Sequence, residues 1–124
     1  MGESKNISDS VDVLVANLSD VVSVYEWAQL MGYTCPKKFA RDFLRNYSVR
    51  PQTYLKYIRL KNISQDLRRN NKSNFEVARK YGVLDEIALN KYINYHLNCS
   101  PTEIKFMQEN QLRQKIEKFG SKIR

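Results

Sequence analysis

Four cationic side chains are spaced to share one face of a predicted helix near the middle of the chain: Lys37, Lys38, Arg41 and Arg45. On a helical wheel at about 100° per residue, an apolar stripe of Phe39, Phe43 and Tyr47 occupies the opposite face. Such a cationic face suits contacts to phosphate groups, and Arg or Lys can also reach the edge of guanine in the major groove. An ordinary solvated basic face is the alternative.

A second predicted helix, from Asp85 to about His96, carries fewer cations. Leu89, Ile93 and Leu97 form its apolar stripe. Its outer face offers candidate DNA-binding residues of mixed chemistry: Ile87, Ala88, Asn90, Lys91, Asn94 and Tyr95. Amides can hydrogen-bond adenine or the DNA backbone, and the tyrosine can reach a phosphate. A mainly structural helix that makes only backbone contacts is the alternative.

The sequence offers no pattern typical of a metal site or of a catalytic centre. Cys35 and Cys99 lie 64 residues apart, without a CxxC motif or a nearby pair of histidines. This spacing excludes a cysteine-built zinc module and a disulfide framework. The lone His96 has no partner in a triad-like motif, and we interpret it as a surface or helix-end residue. We therefore expect no enzyme, no metal, no cofactor and no small-molecule effector site in this chain.

The basic residues are concentrated in the centre of the chain. The 124 residues carry 21 Lys and Arg against 13 Asp and Glu, a formal net charge of +8. This charge divides into −4 over residues 1–34, +9 over 35–72 and +3 over 73–124, which points to a polyanionic partner. No apolar run approaches the roughly 20 residues needed to cross a bilayer. The N-terminus does not resemble a signal peptide, and the reducing cytoplasm is the expected compartment.

Helical periodicity runs through almost the whole chain without an alternating strand pattern, so the predicted fold class is all-α. An internal repeat with an offset of 50 residues organises these helices. It contains five identical pairs: Ser23 and Ser73, Glu26 and Glu76, Ala28 and Ala78, Gly32 and Gly82, and Pro51 and Pro101. Each repeat predicts a short capped helix, a turn at glycine and a longer amphipathic helix, which is the pattern of a helix-turn-helix. Two generic helical hairpins are the alternative.

These patterns divide the chain into five segments. They are a flexible N-terminus over 1–9, a first helix-turn-helix unit over 10–50, a linker helix over 51–72, a second unit over 73–107 and a C-terminal tail over 108–124. The tail has four apolar residues near helical spacing: Leu112, Ile116, Phe119 and Ile123. It is predicted to extend the last helix, to contact a partner, or to fray.

The predicted linker helix is about as long as one turn of B-DNA. About 20 residues span roughly 30 Å, close to the ~34 Å between successive major-groove positions of B-DNA. Such a helix could hold two recognition helices in consecutive major grooves. Its cations are predicted to contact DNA or to pair with acids: Lys56, Arg59, Lys61, Arg68 and Arg69.

Three stretches of the sequence resemble the AraC/XylS-type DNA-binding domain. Residues 32–43 read GYTCPKKFARDF, which resembles the first helix-turn-helix of that family. Residues 51–60 read PQTYLKYIRL, which is similar to the family's linker-helix signature. Residues 82–101 resemble the second helix-turn-helix, so that the resemblance covers roughly residues 10–107.

The resemblance implies a domain of about seven helices in which the third and sixth read promoter DNA. Members of the family are mostly bacterial transcription activators that also contact RNA polymerase. The sequence departs from the family pattern at five positions: Ser48 and Asn98 in place of Gly, Ile63 in place of a small residue, and Val83 and Ile93 in place of aromatics. The chain leaves no room for a sensor domain, so it is either a stand-alone regulator or a domain of a longer protein.

The predicted function is therefore sequence-specific binding of double-stranded DNA to regulate bacterial transcription, with activation as the expected role, at the nucleoid in the cytoplasm. The alternative is a helical protein–protein interaction module with little or no DNA binding.

Overall fold

The computed structural model describes residues 5–69 and 73–121, and the regular structure in them is helical. A short 3-10 helix over Ile7–Asp9 precedes α1 (Ser10–Ala16), α2 (Val24–Leu30), α3 (Pro36–Tyr47), α4 (Pro51–Arg69), α5 (Asn74–Lys80), α6 (Glu86–Leu97), α7 (Pro101–Phe106) and α8 (Glu109–Ser121). No strand occurs in this part of the chain, so the all-α prediction is confirmed. None of these helices is long and apolar enough to cross a membrane.

The chain forms two compact units that divide within α4, between Lys56 and Tyr57. The first residues of α4 belong to the first unit, and the remainder belongs to the second. The segment predicted as a linker helix over 51–72 is thus shared by the two units. Residues 70–72, at its predicted end, lie outside the described part of the chain.

The 50-residue repeat is visible in the hydrogen bonds that begin α2 and α5. Ser23 and Ser73 are the N-caps, and each forms a capping box with the glutamate three residues later. The backbone N–H of Glu26 lies 3.4 Å from Ser23 Oγ, and that of Glu76 lies 3.1 Å from Ser73 Oγ. Each glutamate carboxylate accepts the backbone N–H of its serine in return. Because these bonds are local, the sequence pattern is sufficient to predict them.

The turns of the two helix-turn-helix units repeat as well. Gly32 and Gly82 adopt φ of 82° and 72°, a left-handed conformation that glycine enters without a steric cost. The backbone N–H of the residue after each glycine reaches back to the carbonyl of Ala28 or Ala78, at 3.0 and 2.8 Å. Both alanines are fully buried, so each turn closes where its two helices approach one another.

The ends of α3 and α6 explain two of the departures from the family pattern. Ser48 and Asn98 close these helices with φ of 62° and 57°. Their N–H groups bond to the carbonyls of Leu44 and Asn94 at 2.8 and 3.0 Å. Any residue with a Cβ pays about 1–2 kcal/mol for this conformation, although asparagine tolerates it better than most. Serine is therefore the more strained of the two.

Replacement of Ser48 by glycine is expected to raise the free energy of unfolding by roughly 0.5–1 kcal/mol, since it removes this strain. Asn98→Gly should give a smaller gain because asparagine enters the left-handed region more easily. Urea denaturation followed by circular dichroism measures both values. A gain at Asn98 that exceeds the gain at Ser48 would contradict this explanation.

An aromatic cluster around Trp27 forms the core of the first unit. The Trp27 ring centroid lies 5.2 Å from that of Phe39 and 5.0 Å from that of Phe43. Tyr54 of α4 stacks on Trp27 at 6.5 Å. The indole N–H donates a hydrogen bond of 2.9 Å to the carbonyl of Ser10. Residues from α1 to α4 thus meet at one side chain, which fixes the orientation of α3.

Part of the segment predicted as a flexible N-terminus is bonded to the first unit. The backbone N–H of Lys5 donates to the carbonyl of Met31 at 2.7 Å. The hydroxyl of Tyr47 donates to the carbonyl of Ser8 at 3.0 Å. Two residues distant in sequence thus bond to this segment.

The second unit contains a buried polar network that the sequence analysis did not find. The Asp66 carboxylate accepts hydrogen bonds from the Tyr81 hydroxyl at 2.6 Å and from the Lys80 ammonium at 2.7 Å. Arg59 is buried, donates to the carbonyl of Tyr81, and lies 5.9 Å from the centroid of its ring. Two helix faces are thus joined by charge-assisted bonds, which are stronger than neutral ones.

Two cations of α4 have structural roles. One is Arg59, and the other is Arg68, whose guanidinium donates to the carbonyl of Ile104 at 3.1 Å and to that of Met107. The structure thus places both guanidinium groups on backbone carbonyls of their own unit, contacts that the sequence analysis did not predict. Lys56, Lys61 and Arg69 are exposed.

Because of this network, the free energy of unfolding is expected to vary with pH in the alkaline range. Burial, the hydrogen bond to Asp66 and the charge of Asp66 raise the pKa of Tyr81 above its ordinary value. The stabilisation is therefore fully present below about pH 10, the pKa of tyrosine in an unfolded chain, and is lost as the pH rises above it. We expect the free energy of unfolding to fall more steeply above about pH 10 in the wild type than in Tyr81→Phe. Urea denaturation over a pH series measures the two slopes.

Tyr25→Phe is the matched control, because this tyrosine is 58% exposed. It should leave the pH dependence unchanged. Equal slopes for the wild type and Tyr81→Phe would contradict the expectation.

The predicted tail contains α8, which contacts α6. Leu112 and Ile116 are buried. The Lys115 ammonium donates to the carbonyl of Leu97 at 3.2 Å, and the Phe119 ring lies 5.3 Å from that of His96. The described part of the tail does not extend α7, which ends at Phe106, but forms a separate helix in the second unit. Ile123 lies outside the described residues.

Candidate nucleic-acid interface

The cationic face predicted on α3 is exposed in the structure. It consists of Lys37, Lys38, Arg41 and Arg45. Phe39 and Phe43 are fully buried, and Tyr47 is half-buried. The aromatic core therefore sets the rotation of α3 about its own axis, and that rotation turns the four cations toward solvent.

One of the four cations is partly neutralised. The Lys38 ammonium lies 3.7 Å from Asp42 Oδ2 and 5.6 Å from the centroid of the Tyr33 ring. The Tyr33 hydroxyl donates to the same carboxylate at 2.9 Å. Burial, together with the hydrogen bond and the charge of Asp42, raises the pKa of Tyr33. The i, i+4 spacing of Lys38 and Asp42 is a sequence signal that could have found this pair.

The remaining cations of α3 are available to a ligand. Within the described part of the chain, no acidic residue forms an ion pair with Lys37, Arg41 or Arg45. Asp42 is the acid nearest to them in sequence, and it pairs with Lys38 instead. The described contacts therefore give Arg41 no ion-pair partner.

The outer face of α6 carries the second set of candidate residues. Ile87 and Tyr95 are 68% and 83% exposed. Asn90, Lys91 and Asn94 are also exposed, whereas Ala88 is half-buried. The Asn94 amide donates to Asn90 Oδ1 at 2.6 Å and to the Asn90 carbonyl at 3.0 Å. Part of the hydrogen-bonding capacity of the two amides is therefore used within the helix.

The repeat allows the two helices to be compared position by position. The equivalent pairs are Lys37 and Ile87, Lys38 and Ala88, Arg41 and Lys91, and Arg45 and Tyr95. Four exposed cations on α3 thus correspond to one on α6. Since attraction to phosphates scales with the number of cations, the outer face of α3 attracts phosphates more strongly than that of α6.

The described residues form two clefts but no cluster of metal-binding side chains. In residues 5–69 and 73–121, no group of three or more His, Cys, Asp or Glu could hold a metal ion. One open cleft lies at the N-terminal ends of α5, α6 and α7. Another, in the first unit, is lined by α1, the residues just before and after it, and Leu30.

Comparison with known proteins finds similar solved structures, which identify the fold. No family model and no curated protein sequence matches the chain. The crystal structure of a transcriptional regulator from Chromobacterium violaceum is similar to this structure. The regulator is one of the AraC-type DNA-binding domain-containing proteins. The TM-score is 0.66 at 21% identity, over 81% of this chain and 88% of that one.

A second similar structure is the DNA-binding domain of AdpA, a global transcriptional factor crystallised in complex with a target DNA. Its TM-score is 0.69 at 22% identity, over 90% of this chain and 99% of that one. Both structures contain the domain that the sequence motifs resemble. The chain therefore has the fold of an AraC-type DNA-binding domain.

Proposed function

We propose that this chain binds double-stranded DNA at specific sequences and thereby regulates transcription, with α3 as its main DNA-reading helix. The observation that supports this most strongly is the exposed cationic face of α3, held outward by the buried Phe39 and Phe43. The AdpA domain, which has the same fold, was crystallised with a target DNA. A cationic helix face on a helix-turn-helix suits entry into the major groove.

The four cations of α3 have different chemical roles in this proposal. Arg41 lies in the middle of the helix, and its planar guanidinium can bond two acceptors of one guanine at once. Lys37, Lys38 and Arg45 contact phosphates, which fix the position of the helix on the duplex. Specificity thus depends mainly on Arg41, and affinity depends on all four.

We propose a lesser DNA-binding role for α6. Lys91, Asn90, Asn94 and Tyr95 contact the DNA backbone with one positive charge and three neutral polar groups. Ile87 and Ala88 can offer DNA only apolar contacts. The second unit therefore adds less affinity than the first.

The resemblance supports a finer proposal about the biological role. We propose that the chain acts in the bacterial cytoplasm at the nucleoid, as an activator of transcription that also contacts RNA polymerase. Transcription from a promoter that carries the selected site, measured with purified RNA polymerase, distinguishes activation from repression.

A binding-site selection tests the proposal. The chain is incubated with a pool of random DNA duplexes, the bound fraction is sequenced, and affinity for the selected site is measured over a salt series. Phosphate contacts from Lys37, Lys38 and Arg45 of α3 and from Lys91 of α6 predict a slope of log affinity against log salt of about −3.6 or steeper. A flat salt dependence without any enriched sequence would favour the alternative, a helical protein–protein interaction module.

A further inference from the structure

The first turns of α3 and α6 have opposite charge, although they occupy equivalent positions of the repeat. In α3 the sequence from 35 to 38 is Cys-Pro-Lys-Lys, with a net charge of +2. In α6 the sequence from 85 to 88 is Asp-Glu-Ile-Ala, with a net charge of −2. Where α3 has two lysines, α6 has two apolar residues, and where α3 has two neutral residues, α6 has two acids. This end of α6 would repel phosphates, whereas the same end of α3 attracts them.

Apolar side chains are unusually exposed around the beginning of α6. Leu84 is 77% exposed, Ile87 is 68% exposed and Phe75 of α5 is 46% exposed. Ile87 and Phe75 also line the cleft at the N-terminal ends of α5, α6 and α7, together with Pro101. Neighbouring exposed apolar side chains often mark an interaction site.

Two carboxylates lie beside these apolar groups. Asp85 Oδ1 accepts the backbone N–H of Ala88 at 2.9 Å as the N-cap of α6, which leaves its second oxygen for another donor. Glu86 is exposed and forms no ion pair with any residue in the described part of the chain. Both acids line the same cleft as Ile87. The Arg79 guanidinium stacks over the Phe75 ring, 5.9 Å from its centroid.

We propose that the 84–87 segment, together with Phe75, is a docking site for a segment of a partner protein that presents an apolar side chain flanked by Lys or Arg. The apolar side chain contacts Ile87 and Phe75 in the cleft. The flanking cations pair with Asp85 and Glu86. Charge complementarity selects this partner, because the two acids repel DNA and attract a basic peptide. The proposal goes beyond DNA reading by α3 and does not depend on it.

A synthetic helical peptide with a leucine stripe flanked by lysines is the probe. NMR spectra of the isotope-labelled full chain are recorded as this peptide is added. We expect shifts of the backbone signals of residues 75 and 84–88, and none with a matched peptide in which glutamate replaces every lysine. The proposal is overturned if the lysine peptide does not bind, or if the shifts lie elsewhere.

Charge-removing variants locate the interaction. Asp85→Asn/Glu86→Gln removes both charges while asparagine keeps the N-cap, and it should weaken peptide binding at least tenfold. Asp9→Asn/Asp12→Asn is the matched control, because it removes the same charge from the other cleft. Equal weakening by the two double variants would show unspecific attraction and would refute the docking site.

The same double variant separates this proposal from DNA reading. Asp85→Asn/Glu86→Gln should raise the affinity for the selected DNA by less than tenfold, because it removes two charges that repel phosphates but no contact to DNA. If it instead binds that DNA at least tenfold more tightly, the 84–87 segment lies against phosphates and the docking proposal is wrong. A chain that binds the peptide but no DNA would refute the proposed function and leave the docking site standing.

Discussion

Replacement of Arg41 by alanine is expected to weaken binding to the selected DNA site by about 1–3 kcal/mol, the cost of losing a side chain that reads a base. The expectation rests on the position of Arg41 at the centre of the exposed cationic face, without an ion pair to any described residue. Titration of the labelled DNA site with each purified variant measures the affinity. Circular dichroism checks that each variant remains folded.

Lys91→Ala is the matched control at the equivalent position of the second unit. It should weaken DNA binding less than Arg41→Ala does. Its main effect should be to reduce the slope of log affinity against log salt by about 1, as the loss of a phosphate contact does. Arg41→Lys adds a second comparison, because it keeps the charge but not the planar fork. This variant should keep the salt slope and lose specificity. Should Lys91→Ala abolish binding while Arg41→Ala is neutral, α3 is not the main reader.

Truncation of Trp27 to alanine is expected to lower the free energy of unfolding by about 3–5 kcal/mol, as for other large core side chains. The side chain is fully buried, contacts three aromatic rings and donates a hydrogen bond to the Ser10 carbonyl. Its removal leaves a cavity and takes away the hydrogen bond to the Ser10 carbonyl. Because the same cluster orients α3, the variant should also bind DNA more weakly. Urea denaturation followed by circular dichroism measures the loss of stability.

Val77→Ala is the control for Trp27→Ala, since Val77 is the equivalent buried residue of the second unit. It removes a much smaller side chain and no hydrogen bond, so its cost should be smaller. Trp27→Phe separates volume from hydrogen bonding, because it keeps an aromatic ring without the indole N–H. A cost of Trp27→Ala below that of Val77→Ala would contradict the view that the aromatic cluster supports the first unit.

The cationic face of α3 could be predicted because it follows from spacing alone. Positions 37, 41 and 45 recur every four residues, whereas Phe39 and Phe43 lie on the opposite side of the same helix. The negative charge of the first turn of α6 could also be predicted, since it is visible at positions matched to α3. The exposure of Leu84 and Phe75 could not be predicted, because it depends on how α5, α6 and α7 pack.

The sequence by itself determined the repeat, the helix ends and the outward face of α3. The physical reason is that caps, turns and helical periodicity depend on bonds between residues three to five positions apart. Only the tertiary structure decided what Arg59, Arg68 and Tyr47 do. Each of these side chains bonds to a carbonyl at least 22 residues away. No local pattern encodes such a partner, because the fold must bring the two groups together before the bond can form.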